Sequence, residues 1–96
     1  MTANQTLLLD VITKALKEKG ATEFTYVWEW VYLHPSQSIS INEEMIHPDY
    51  PLPSDYSLDD LETLAELGYI EKRNEIKKGE PFHEIEIFYK LKEYVS

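Results

Sequence analysis

The side chains in this chain that are able to do chemistry are above all carboxylates. Asp59, Asp60, Glu62 and Glu66 crowd one short stretch, and Glu43 and Glu44 form a second adjacent pair. Two acids act as a general acid–base couple only when both reach one reacting centre. Immediate neighbours on a helix point in different directions, so neither Glu43-Glu44 nor Asp59-Asp60 predicts a catalytic couple. His34, His47 and His83, with Asp49 and Glu84, are the residue types that bind transition metals, but their spacing matches no known metal cage and each histidine reads as a surface or turn residue. With three glycines the chain has no phosphate-cradling loop, and no nucleophile–base pair is marked by spacing. The absence of cysteine excludes disulfides and thiolate metal sites, and fits a reducing compartment. These residues predict no enzyme, no cofactor and no metal.

Charge narrows the partners. Nine basic against eighteen acidic residues give a net charge of −9. Residues 1–60 hold ten acids and three bases, whereas residues 61–96 hold eight acids and six bases. Affinity for a nucleic-acid backbone rests largely on counterion release by Lys and Arg, so such a chain repels phosphate at long range. The one basic cluster is Lys72, Arg73, Lys77 and Lys78, interleaved with Glu71, Glu75 and Glu80. It is the place where a nucleic-acid backbone contact would have to be sought, although interleaved charges of this kind more often make a solvated hairpin. The acidity itself reads either as a solubilising device or as a surface for a basic partner.

The elements that must position these residues belong to one domain spanning residues 1–96, too short for two independent cores. At 43% hydrophobic and 12% aromatic the composition is globular. There is no apolar run long enough to span a bilayer and no basic leader before an apolar stretch, so a cytoplasmic protein without a membrane span is expected. A first amphipathic helix is predicted from about Gln5 to Lys19, with Leu8, Val11, Ile12, Ala15 and Leu16 on one stripe, Asn4 as N-cap and Gly20 as the stop.

The segment Phe24–Leu33 carries two competing signals. Aromatics at positions 24, 26, 28, 30 and 32 alternate with the period of a strand. Phe24, Val27, Trp28 and Val31 also share a helical stripe that His34-Pro35 would stop. A helix is the favoured reading. On either period one face is core, and Tyr26, Trp30 and Tyr32 on the other are candidates for an exposed aromatic contact patch. From Pro35 to Tyr56 the prolines at 35, 48, 51 and 53 break long elements; residues 35–56 are expected to be an irregular, Pro-rich insertion, with one helical turn over Ser40–Ile46.

The last forty residues are the best specified. Ser57 is a good N-cap, Asp59 and Asp60 occupy the first turn, Leu58, Leu61, Leu64, Ala65 and Leu67 form the buried side, and Gly68 stops the helix. A strand over Tyr69–Ile76, a turn over Lys77–Pro81 and a return strand over His83–Leu91 follow, with Ile85, Ile87, Tyr89 and Leu91 on one face. The spacing of Leu61, Leu64, Gly68, Tyr69 and Ile70, together with Phe88-Tyr89-Lys90-Leu91, resembles the end of the recognition helix and the wing in winged helix-turn-helix proteins of the MarR, ArsR and PadR type. That resemblance covers about forty residues and implies an α+β winged-helix domain, with about three helices and a C-terminal two-stranded antiparallel β-hairpin. It also makes a homodimer an expectation, with Trp30 and Tyr32 as anchors.

A winged-helix reader of DNA presents basic or amide side chains to base edges and phosphates. Here the corresponding helix offers Asp59, Asp60, Glu62 and Glu66, so sequence-specific DNA binding by the recognition helix is not expected. The reading that follows is a protein-interaction module whose partner is a protein, and a basic one. Its contact residues would be Asp59, Asp60, Glu62, Glu66, Tyr26, Trp30 and Tyr32. Two alternatives stay open: a DNA mimic or inhibitor occupying the basic cleft of a nucleic-acid-processing protein, and a regulator touching DNA through Lys72, Arg73, Lys77 and Lys78.

Overall fold

Residues 2–53, 55–79 and 83–92 are described by a computed structural model. The elements in chain order are α1 (Ala3–Lys19), β1 (Glu23–Val31), β2 (His34–Ile41), β3 (Glu44–Met45), α2 (Leu58–Glu66), β4 (Ile70–Lys78) and β5 (Glu84–Leu91). The strands form one antiparallel sheet in the order β3-β2-β1-β5-β4, with both helices on one face. The expected winged helix is therefore corrected. The architecture is α+β, but the described residues form two helices and five strands, and the β4–β5 hairpin supplies two strands of a sheet whose centre is β1.

Segment 24–31 is a strand, not the favoured helix, for a reason already present in its period. β1 lies between β2 and β5, so its alternate residues Phe24 and Tyr26 enter the core and Trp28 packs against its edge. Phe24 faces Tyr89, Tyr26 faces Ile39 and Ile87, and Trp28 faces Gln37 and Ile85. The Phe24 and Tyr89 rings stack with centroids 5.3 Å apart. Central position also gives β1 a paired strand on each side over Thr25–Glu29, which satisfies its backbone groups from both neighbours.

The Pro-rich insertion is corrected in the same way. β2 alternates Gln37, Ile39 and Ile41 toward the helices with Ser36, Ser38 and Ser40 toward solvent. Pro35 is tolerated because it stands near the start of a strand whose outer side is paired only at Ser40 and Ile41. Residues 40–46 make no helical turn: Asn42 and Glu43 close a two-residue hairpin with φ of 54° and 68°, and Ile41 pairs with Glu44. Positive φ at both central residues is the mirror-image turn that suits the twist of a hairpin. Beyond it Ile46 and Tyr56 are buried, and Tyr50 hydrogen-bonds Glu18 of α1.

Helix α1 starts two residues before the expected position, because Thr2 rather than Asn4 is the cap. The Thr2 hydroxyl accepts the Gln5 N–H at 3.1 Å, and the Gln5 side chain accepts the Thr2 N–H at 2.9 Å. Gly20, at φ 65°, ends the helix in the left-handed conformation that costs a glycine nothing. Leu8, Ile12, Ala15 and Leu16 of α1 and Leu61 and Leu64 of α2 close over Phe24, Tyr26, Ile39, Ile41, Ile87 and Tyr89. None of the described helices is long and apolar enough to cross a membrane.

A bulge at Arg73 sets the chemistry of β4. The register shifts between Lys72 and Asn74, so Lys72, Glu75 and Lys77 sit on the helix side of the sheet while Asn74, Ile76 and Lys78 sit on the other. The resulting edge strand is charged along most of its length, which protects it from pairing with a foreign strand.

Candidate functional site

The helices cover only part of the sheet. The N-termini of α1 and α2 are tied together, since Gln5 Nε2 donates to Asp60 Oδ1 at 3.1 Å. The N-terminus of α2 lies level with Tyr26 and Trp28, since Ser57, Leu58 and Asp59 line one cleft with them. From Trp28 to Val31 β1 continues past the N-terminus of α2, a run of roughly 10 Å at about 3.3 Å per residue. The molecule measures 43 × 26 × 25 Å along its principal axes.

Three large apolar side chains crowd that projecting end. Trp30 is 47% exposed, Leu33 81% and Tyr32 91%. Tyr32 also has φ 56°, a left-handed conformation that bulky side chains rarely adopt. The turn thereby holds an aromatic ring in water at a conformational cost. The Trp28 and Trp30 rings are 6.2 Å apart and tilted by 45°. The Trp30 N–H donates to the His83 carbonyl at 2.8 Å, which fixes this end of β1 against the start of β5.

Behind Trp28, where the sheet meets the start of α2, lies a cleft of about 340 Å³ lined by Tyr26, Trp28, Gln37, Ser57, Leu58, Asp59 and Ile85. Its wall is mostly apolar, with few polar groups, as is usual in binding sites. Two of those groups are committed internally. The Tyr26 hydroxyl donates to Gln37 Oε1 at 2.8 Å, and Gln37 Nε2 donates to the Tyr56 carbonyl at 2.7 Å. Burial raises the Tyr26 hydroxyl to about pKa 12, so it stays a neutral donor at ordinary pH.

The expected contact residues separate into distinct roles. Trp30 and Tyr32 stand exposed at the projecting end. Tyr26 does not join them: it is 1% exposed, forms the cleft floor and packs edge-on against Tyr56. Placing Tyr26 on a solvent face is therefore corrected; in a strand it shares the helix side with Phe24 and Trp28, and the helices reach that far. Asp59, Glu62 and Glu66 are exposed at i, i+3 and i+7 of α2, one outward stripe. Asp60 is half-buried and structural, its Oδ2 accepting the Ser57 N–H at 3.0 Å while Oδ1 holds Gln5.

The basic cluster is internally neutralised. Lys72 and Lys77 both pair with Glu75, at 2.9 and 3.7 Å, Arg73 pairs with Glu71 at 3.2 Å, and Lys78 bridges Glu84 and Glu86 at 3.3 and 3.2 Å. Hydrogen bonds from Lys72 hold the Glu75 carboxyl below the usual range, and Glu86 followed by Glu84 holds Lys78 above its own. Glu80, expected among the interleaved acids, lies outside the described residues. Among the described residues no three His, Asp or Glu side chains gather as metal ligands, and His34, His47 and His83 are exposed at separate positions.

Trp28, Gln37, Leu58 and Ile85 were not among the expected contact residues. Their approach depends on the register of three strands, and only the alternation of Trp28 with Tyr26 and of Ile85 with Ile87 hinted at it. No family model matches the chain, and neither the curated proteins nor the solved structures provide a match.

Proposed function

We propose that this chain is a non-catalytic protein-interaction module whose docking surface is the projecting end of the sheet: Trp30, Tyr32 and Leu33, continued by Trp28, Ile85 and Leu58 along the cleft. The carrying observation is the exposure of three large apolar residues within one four-residue stretch, one of them held in a strained conformation. Trp and Tyr dominate the energetics of protein interfaces because each buries a large rigid area at low entropic cost. A small domain that needed only to fold would lose nothing by having polar residues and a glycine at this turn. Contact with a nucleic-acid backbone has less support, since Lys72, Arg73, Lys77 and Lys78 each engage a glutamate.

The test is affinity capture from the source cells, with bound proteins identified by mass spectrometry. Trp30→Ala and Tyr32→Ser should each lose a partner that Leu7→Ser and Leu67→Ser retain, since the exposed Leu7 lies on α1 and the exposed Leu67 just past the C-terminal end of α2, away from the β1–β2 turn. Identical capture by all four variants, each verified as folded by circular dichroism, would sink the proposal.

A further inference from the structure

The cleft beside Trp28 is built to accept one cationic side chain, and we propose that the partner inserts an arginine there, stacked on the Trp28 indole and paired with Asp59. This rests on the interaction reading above and gives the partner a chemistry. Three observations carry it. The first is size: about 340 Å³ is near the bottom of the range of roughly 300–1,000 Å³ for ligand pockets, enough for one long side chain.

The second is the inventory of free polarity. Tyr26 and Gln37 are bonded to each other, Ser57 is the N-cap residue of α2, and the rest of the wall besides Asp59 is the Trp28 ring and the aliphatic Leu58 and Ile85. Asp59 lines the cleft with no ion-pair partner among the described residues, unlike Asp60 next to it, whose two oxygens are both used. An aromatic face, an aliphatic wall and one carboxylate match the three parts of an arginine: a planar cation that stacks on rings, an apolar stem and a fork of donors shaped for carboxylate.

The third is charge complementarity. The chain carries −9, and Glu29, at the same level on the opposite face of the sheet, also has no ion-pair partner among the described residues. A cation is drawn to this end and a second copy of the chain is repelled from it. Two positive features oppose the field without reversing it. The N-terminal end of α2 contributes about half a unit charge, which Asp59 and Asp60 outweigh. Lys77, opposite Ile85 in register, is paired with Glu75.

The experiment titrates the full ¹⁵N-labelled chain with acetyl-Gly-Leu-Arg-Leu-Gly-amide and with the same peptide carrying citrulline, which keeps the shape and removes the charge. The arginine peptide should shift the Trp28 indole N–H and the Asp59 amide, weaken as salt is raised, and bind about tenfold tighter than the citrulline peptide, or about 1.4 kcal/mol. Asp59→Asn should remove that advantage. Equal affinity for the two peptides, an advantage that survives Asp59→Asn, or no shift at millimolar peptide overturns the proposal. If the peptides bind alike while partner capture still depends on Trp30 and Tyr32, the arginine is wrong and the docking end stands; if that dependence is also missing, both fall.

Discussion

Gln5 and Asp60 join the two helices at their N-termini, with Gln5 Nε2 donating to Asp60 Oδ1 at 3.1 Å across 55 residues of sequence. Each residue also closes its own helix: the Gln5 side chain accepts the Thr2 N–H, and Asp60 accepts the Ser57 N–H. Two caps and one interhelical contact are thus a single polar unit around a buried glutamine.

Glutamate is normally as good as glutamine at the third position of a capping box. Here Gln5→Glu removes the donor to Asp60 and sets two carboxylates against each other, so it should destabilise the fold by about 1–3 kcal/mol. Asp60→Ala should cost about 0.5–2 kcal/mol as a lost cap. Because the residues are in contact, a urea-denaturation double-mutant cycle with Gln5→Glu and Asp60→Asn should show recovery of stability in the pair relative to the sum. Additive losses would mean that the contact does not operate in solution.

The Tyr26 hydroxyl and Gln37 make a second polar pair inside the sheet–helix layer. Tyr26→Phe leaves Gln37 Oε1 without its donor and should cost about 1–3 kcal/mol, measured by chemical denaturation. A loss no larger than about 0.3 kcal/mol would mean that water replaces the hydroxyl without penalty.

Burial holds both Tyr26 and Tyr89 at about pKa 12, above the ordinary phenol value of 10.0, with Glu62 adding to the effect on Tyr89. Tyr56 is shifted in the same direction by burial, then by Tyr26. The folded state therefore keeps these protons at a pH where the unfolded chain has released them. Their contribution is fully present below pH 10 and is lost as pH rises through about 12. Far-ultraviolet circular dichroism combined with tyrosinate absorbance should show ionisation of the buried phenols coinciding with alkaline unfolding. Free ionisation near pH 10 with the fold intact would contradict their burial.

The β2–β3 turn carries avoidable strain. Asn42 tolerates a left-handed backbone, but Glu43 at φ 68° occupies a position where the mirror-image hairpin turn favours glycine. Glu43→Gly should raise stability by about 0.5–1 kcal/mol, read as a higher denaturation midpoint with unchanged slope. A lower midpoint would mean that the Glu43 side chain holds the turn by contacts of its own.

What was legible in the sequence divides along physical lines. The stripe from Leu8 to Leu16 and the run from Ser57 to Leu67 declare their helices locally, since a 3.6-residue period and a cap need no distant partner. The hairpin of β4 and β5 is equally local, and its long return strand alternates cleanly. The strand period of Phe24 to Tyr32 was present too, but the same residues also fit a helical stripe, and only the flanking β2 and β5 decide between them. In β2 the alternation of Ser36, Ser38 and Ser40 with Gln37, Ile39 and Ile41 was masked by the prolines around it. The cleft was hidden for a related reason. Trp28 meets Ile85 through strand pairing and Leu58 through helix packing, so it has no signature in any one segment, and Asp59 and Asp60 are alike until Gln5 claims one of them.

Tyr32 offers the sharpest separation of stability from function. A bulky residue at φ 56° costs roughly 1–2 kcal/mol, while its ring, 91% exposed, has little packing within the chain to offset it. Tyr32→Gly removes that strain and adds unfolded-chain entropy worth about 0.5–1 kcal/mol, leaving a net gain near 0.5 kcal/mol. If the projecting end is a docking surface, the same substitution should weaken partner capture, because the aromatic anchor is gone. Higher thermal stability with reduced capture is the expected pair of results. Stability lost on removal of the ring would assign Tyr32 to the fold, and capture unchanged would take it out of the interface.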